Sequence, residues 1–509
     1  MYCQHTPLVT WRGRPNSLNP CFSFSPGLHF QRRKVPSCKW VQQKNSFRVK
    51  NLKTTLNSKR CLPRIYAIEE GAADIPSFDN VLDSREMSDG YSSCADEELE
   101  RENLTSHAGD TKPMHNANHS EDTVKEFSSP FYDMPTFYQA RFLPGLLMTA
   151  GLLFLIIIIL LFVDWRIIRV PLASFSLTFP FLAAAIITGF LGSFCVPLLR
   201  KLKFEQIFRK EGPTSHSTKI GTPTMGGLYF VPVGLIIARL ITRCSSPEVS
   251  GPISVTLAFA AIGLLDDSLT FLRNHNYGLP GWIKLALQVA SGTCFFFWQD
   301  SSNLPSYQMK ALVPLPRPLG PLYLGKWYLP LTAFCFAAMA NGVNLTDGLD
   351  GLAGGTAALA FIGMSIAVLP IYPGLAIFGV SMAGACIGFL IHNRYKASIF
   401  MGDTGSLALG GALAAMAAFS GMFFPLFIAS GIFVVETISV MMQVFYFKTT
   451  KRLSGAGSRL FLMAPIHHHF ELSGVKEPYI IGSAYAISCV LSLCAAYIGF
   501  HFSTALHIV

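Results

Sequence analysis

The chain has 509 residues, of which 51% are hydrophobic and only 14% are Asp, Glu, Lys or Arg, a composition too poor in charge for a set of soluble domains. Twelve cysteines are scattered without a C-x-x-C pair, which argues against a zinc ribbon, an iron–sulfur site or a dense disulfide framework. The net charge of +10 would suit nucleic acid if it lay on a soluble face, so its distribution decides its meaning.

Residues 1–66 hold thirteen Lys or Arg and no acid, with abundant Ser, Asn and Pro. Such a basic, acid-free segment is expected to be disordered and has the signature of an organelle-import presequence, whereas the absence of an apolar h-region speaks against a secretory signal. Residues 67–135 reverse the balance with seventeen acids against four bases and include Asp96-Glu97-Glu98-Leu99-Glu100. Composition of this kind cannot bury a core and predicts a disordered acidic linker. Residues 136–509 keep thirteen acids and twenty-three bases and form the functional body.

Apolar stretches of about 20 residues recur through that body, each able to cross a hydrocarbon core of roughly 30 Å. Eleven candidate spans lie near 143–163, 176–199, 224–242, 252–271, 281–298, 328–346, 352–371, 373–393, 404–420, 422–447 and 479–506. The first is the most lipid-like and stands apart as a peripheral anchor, with its connection over 136–175. Alternating helix direction puts loops 200–223, 272–280, 347–351, 394–403 and 448–478 on one face, where fourteen Lys or Arg lie against six on the other. By the positive-inside rule that face is cytoplasmic or, after import, stromal. The positive charge is thus a topology signal and a possible anion attractant; with no aromatic-interleaved soluble module, it gives no support for nucleic-acid binding.

Acids at the ends of apolar helices cost several kcal/mol unless paired, hydrated or metal-bound, so most of them should have a job. Asp266-Asp267 closes the fourth span; Asp347 and Asp350 stand in Asn341-Gly342-Val343-Asn344-Leu345-Thr346-Asp347-Gly348-Leu349-Asp350-Gly351; Asp403 stands in Gly402-Asp403-Thr404-Gly405-Ser406. Each set has a bland reading, as a helix end meeting water or a capping loop. A divalent cation between phosphates is the sharper one, because adjacent acids at a helix C-terminus oppose the dipole and each other. Two further loops on the same face carry Lys219 in a Gly/Thr-rich helix entry, Lys219-Ile220-Gly221-Thr222-Pro223-Thr224-Met225-Gly226-Gly227, and three imidazoles in Pro465-Ile466-His467-His468-His469-Phe470-Glu471. Successive helical residues point about 100° apart, so His467, His468 and His469 cannot all ligate one ion and suit hydrogen bonds to phosphate or a polar headgroup better. The set fits magnesium-assisted phosphoryl chemistry at one membrane face.

At these motifs the sequence resembles the polyprenyl-phosphate hexosamine-1-phosphate transferases, and within them the phospho-N-acetylmuramoyl-pentapeptide-transferase branch, over about 176–506. The stretch Pro465-Ile466-His467-His468-His469 is similar to that branch in particular. The resemblance implies an all-α polytopic membrane protein with a ten-helix core over 176–509 plus the extra N-terminal helix. It implies transfer of phospho-N-acetylmuramoyl-pentapeptide from UDP-N-acetylmuramoyl-pentapeptide to a polyprenyl phosphate with release of UMP, directly or through an aspartyl intermediate. Mg2+ is the implied cofactor, with Asp403 matching its ligand. Asp266 matches the proposed base or lipid-phosphate-handling acid, with Asp267 beside it. Lys219, Gly348, Leu349, Asp350, Asn393 and Phe400 match positions around the nucleoside, and Thr224, Asn341, Asn344, Asp347, His467, His468 and His469 match other polar positions of the cleft.

Bacterial members usually carry Lys three residues after the second Asp, where this chain has Thr270, with Arg273 and Lys284 the nearest cations. That departure implies that the phosphate-binding cation is either missing or replaced by Arg273. The basic and acidic N-terminal blocks add to the bacterial pattern and suggest a plastid membrane protein, in envelope or thylakoid, with its site facing the stroma. A homodimer is compatible with the sequence. Two other readings stay open: a UDP-N-acetylglucosamine-specific transferase, and a transporter lined by intramembrane acids.

Overall fold

A computed structural model describes residues 136–168, 176–203, 219, 221–242, 246–273, 278–301, 312–315 and 320–508. The basic and acidic N-terminal blocks, and most of the positively charged loop 200–223 ahead of Lys219, lie outside the described residues. The described residues form thirteen α-helices: α1 Thr136–Ile168, α2 Thr178–Lys201, α3 Gly227–Ile241, α4 Pro247–Arg273, α5 Gly281–Ser301, α6 Tyr328–Thr346, α7 Leu352–Val368, α8 Pro373–Asn393, α9 Gly402–Ser420, α10 Phe423–Ala429, α11 Gly431–Ser454, α12 Ile466–Leu472 and α13 Glu477–Ile508.

Every expected span falls on helix. The stretch 422–447 is the exception to continuity, since it breaks between α10 and α11 at Ser430. A short antiparallel hairpin, β1 Leu312–Pro314 with β2 Pro321–Tyr323, interrupts the all-helical pattern between α5 and α6. Seven helices, α1, α2, α4, α6, α8, α11 and α13, are long and apolar enough to cross a membrane, while α3 and α7 are shorter apolar helices.

Apolar residues on all sides mark the helices that lie deepest. All seventeen residues of α7 are buried, as is the run Thr404–Phe419 of α9, and α8 is nearly as enclosed. Around this central trio, α2 and α3 pack on α8, α4 and α6 on α9, and α13 on α7. Large apolar side chains such as Phe179, Phe190, Leu240, Phe445 and Tyr497 stay exposed on the outside of the bundle, as expected where lipid replaces water.

The extra helix α1 is docked, not loose. Its Leu152, Ile156 and Leu160 form an i, i+4, i+8 stripe that is buried. At its end Asp164 accepts the backbone N–H groups of Leu177 at 2.8 Å and Thr178 at 3.1 Å, satisfying donors at the start of α2 that have no partner within that helix. An acid between two apolar helices is thereby accounted for as a cap.

Candidate active site

The carboxylates come together because α4, α6 and α9 meet at one end. Gly263 makes the approach possible, since a β-carbon there would collide with the carbonyl of Asp403. One turn further along α4, the Asp266-Asp267 pair therefore faces the first turn of α9. Neighbouring residues on a helix diverge by about 100°, and the two acids take different partners.

Asp267 turns to the backbone. It accepts the N–H of Asp403 at 3.0 Å, the N–H of Thr404 at 2.9 Å and the Thr404 hydroxyl at 2.6 Å. The residue ahead of α9, Met401, has no capping side chain of its own, so the cap comes from α4. Asp266 turns the other way, accepting the Leu279 N–H at 2.7 Å and lying 3.0 Å from the Lys284 ammonium. The same Lys284 Nζ donates to Asp403 Oδ2 at 2.6 Å, and Asn344 Nδ2 donates to Asp403 Oδ1 at 2.7 Å. Two carboxylates from different helices thus share one cation. Lys284, and not Arg273, is the cation that reaches them; Arg273 donates to the Gly278 carbonyl at 3.3 Å.

A second ionic group stands at the other side of the 347–351 loop. Lys219 Nζ lies 2.8 Å from Asp350 Oδ1 and 2.9 Å from Glu477 Oε1. Glu477 also accepts the Asp350 N–H at 2.9 Å, and Asp350 Oδ2 accepts the Ala397 N–H at 2.9 Å. Burial works against the charge on Lys219, but Asp350 and Glu477 outweigh it and hold the ammonium above its ordinary value. Between the two groups sits Asp347, whose carboxyl is pushed well above the usual carboxylate range by burial and then by the carboxylates of Asp403, Asp267 and Asp350.

Around these, Asn393 is buried and donates to the Ile399 carbonyl at 2.7 Å, and Leu349 is buried in the same loop as Asp350. Phe400 is tied by its backbone to the segment before α3, accepting from Gly226 at 2.9 Å and donating to Pro223 at 2.8 Å, which brings Thr224 beside it. Asn341 sits one turn deeper on α6 and donates to Gln288 Oε1 at 2.7 Å. The three histidines separate as their helical spacing requires. His467 and His468 are buried and point at Gly348, while His469 faces Phe461, with ring centroids 5.7 Å apart, and accepts the Leu462 N–H at 3.3 Å.

Sequence reasoning missed Glu477 and Glu436 as members of this region and gave Lys284 only as a nearby cation. Glu436 and Lys284 are isolated charges in apolar helix, and that isolation was the available signal, whereas Glu477 opens α13 beside Lys476 and looks like an ordinary helix start.

A model of glycosyl transferase family 4 matches residues 250–421, the stretch that contains both acids of α4, the 347–351 loop and Asp403. The phospho-N-acetylmuramoyl-pentapeptide-transferase of Nostoc punctiforme is 45% identical over 339 residues, which are 66% of this chain and 92% of that protein. The chain belongs to the phospho-N-acetylmuramoyl-pentapeptide-transferase family. The relative so named in Microcystis aeruginosa is 43% identical over 373 residues, covering 72% of this chain and 98% of its own length. That of Picosynechococcus is 47% identical over 316 residues, 62% of this chain and 84% of its own.

Proposed function

We propose that this chain transfers phospho-N-acetylmuramoyl-pentapeptide from UDP-N-acetylmuramoyl-pentapeptide to a polyprenyl phosphate, releasing UMP. An oxygen of the lipid phosphate forms a new bond to the sugar-proximal phosphorus, the bond from that phosphorus to the bridging oxygen breaks, and UMP leaves with the bridging oxygen. The observation that carries this reading is the shared cation: Asp266 and Asp403, from different helices, converge on the Lys284 ammonium at a helix end. A diphosphate undergoing substitution needs positive charge and donors held at that kind of place.

The residues fit the family's magnesium. Carboxylate oxygens from two elements already surround one positive charge, and hard anionic oxygens are what Mg2+ takes. Mg2+ is held by one or two carboxylates and fills the rest of its shell with phosphate oxygens and water. Asp403, with Asp266 beside it, would hold the ion, which supplies charge neutralisation on the diphosphate oxygens. Lys284 supplies the phosphate contact that Thr270 cannot, and Asp266 handles the lipid phosphate. Asp267 keeps the first turn of α9, and with it Asp403, in place. Lys219, Asp350, Leu349, Asn393 and Phe400 line the nucleoside side, with Phe400 as stacking platform for uracil. Gly348, Asp347, Thr224, Asn341, Asn344, His467, His468 and His469 complete the cleft.

For the architecture we infer a ten-helix core with α1 added to it, the site on the positively charged face. The acid-free N-terminus, joined to a body so similar to proteins from Nostoc and Microcystis, supports a plastid membrane with the site facing the stroma. The test is UMP release by the purified full chain with magnesium and a polyprenyl phosphate, offered UDP-N-acetylmuramoyl-pentapeptide and UDP-N-acetylglucosamine side by side, with the lipid product identified by mass. A folded preparation that turns over neither removes the reading, and one that takes only the second sugar changes the substrate.

A further inference from the structure

Glu436 lies within α11, well inside a helix apolar enough to span a membrane, and is only 5% exposed. A carboxylate so placed requires a partner. Its Oε2 stands 3.1 Å from His467 Nδ1 and 3.5 Å from the His467 backbone nitrogen. One turn along α11, Ser439 accepts the Ile466 N–H at 3.0 Å and donates to the Glu436 carbonyl at 2.7 Å. The start of α12 is therefore gripped by α11 at the two residues Ile466 and His467. The Nδ1 approach is close but not aligned as a straight hydrogen bond, a geometry that catalytic groups often tighten when substrate arrives.

The opposite ring nitrogen faces the 347–351 loop. His467 Nε2 is enclosed, meets no hydrogen-bond partner among the described residues, and is aimed at Gly348, where an added β-carbon would collide with it. A parallel pair stands alongside: His468 Nδ1 is 3.1 Å from Glu471 Oε2, the two imidazoles are 4.1 Å apart, and His468 Nε2 would be 2.9 Å from the same added β-carbon. Two carboxylate–imidazole pairs thus converge on one point of backbone. That point lies between Asp347 and Asp350.

Building on the transferase reading, we propose that Glu436 is a positioning residue, holding Nδ1 of His467 so that Nε2 faces an oxygen of the substrate's diphosphate beside Gly348. A carboxylate on one side of an imidazole fixes the ring's orientation and tautomer. Without it a neutral ring can place its single proton on either nitrogen. Glu471 does the same for His468. Glycine at 348 leaves the room in which the oxygen sits.

The experiment is a double-mutant cycle on the purified full chain with UDP-N-acetylmuramoyl-pentapeptide, a polyprenyl phosphate and magnesium. Glu436→Gln, close in shape to the native side chain, lowers kcat about 10–100-fold, the range for loss of a group that orients a first-contact histidine, while KM for the nucleotide sugar stays within about threefold. In a His467→Ala background the same substitution costs nothing further, because its effect runs through the ring. Glu436→Asp restores part of the rate. Gly348→Ala, which needs no change at Glu436 and crowds Nε2 from the substrate side, lowers kcat as well. Additive losses in the two backgrounds, a wild-type rate in Glu436→Gln, equal losses in Glu436→Asp and Glu436→Gln, or an unimpaired Gly348→Ala each overturn the inference while wild-type turnover keeps the transferase reading. A wild-type chain without turnover removes both.

Discussion

Replacing Asp267 with Ala separates architecture from chemistry within the acidic pair. The side chain accepts three hydrogen bonds from the first turn of α9, at 2.6 to 3.0 Å. Each bond to a charged group contributes about 1.5–3 kcal/mol, but the site is half-buried and water can replace part of what is removed, so the sum overstates the change. Single helix caps cost about 0.5–2 kcal/mol when removed, and this one adds a hydroxyl contact, which gives roughly 2–3 kcal/mol for Asp267→Ala. At about 2–4 °C per kcal/mol for a chain of some 200 residues, and somewhat less for a longer one, thermal unfolding in detergent should fall by roughly 4–8 °C. Asp267→Asn keeps one acceptor oxygen and should fall by about half as much. The assay is loss of monodisperse protein after heating, followed by size-exclusion chromatography, with UMP release measured on the same samples at a temperature below both transitions. An Asp267→Ala protein that melts with wild type yet has no activity would refute the capping role and make Asp267 a reacting group.

Asp403→Asn should leave the melting temperature within a few degrees of wild type, because Asn344 and the backbone contacts remain, yet lower kcat by at least about 10³-fold, the scale of losing about 4 kcal/mol of transition-state stabilisation; UMP release across a magnesium titration checks it. Lys219→Ala leaves Asp350 and Glu477 facing each other without their cation and should cost about 3 kcal/mol of stability, as removal of one partner from a buried ion pair does. Adding Glu477→Gln should return part of that loss, read by thermal unfolding of the single and double variants. Asp347 gives a pH dependence. Its carboxyl is held above the ordinary carboxylate range in the folded chain, so its contribution to stability is full below about pH 4 and declines as pH rises through the raised value. With divalent cations chelated, Asp347→Asn should therefore melt higher than wild type at neutral pH, and the gap should close as pH falls toward about 4. Equal melting at neutral pH would show that the carboxyl is not held in that way.

Much of the arrangement is written in local order. Long apolar runs separated by polar loops mark where the long helices lie and in what order, because a backbone inside lipid must satisfy its own hydrogen bonds and a helix does so segment by segment. The same rule makes each stranded acid conspicuous, so Asp266, Asp267, Asp347, Asp350 and Asp403 stand out from their neighbours alone. Glycines and prolines beside them mark helix entries and turns.

What each of those side chains touches is decided only by the tertiary structure. Asp266 and Asp267 are adjacent letters, yet one meets Lys284 and the other caps the helix that begins at Gly402, because a helix turns successive residues by about 100° and α4 leans on α9 at Gly263. Glu477 meets Lys219 across 258 residues, and Glu436 meets His467 across 31. No local pattern encodes such pairs, since charge partners in a bundle are chosen by which helix faces pack together. The break at Ser430 and the β1–β2 hairpin are hidden for a related reason: composition reports how apolar a segment is, and packing decides where its backbone bends.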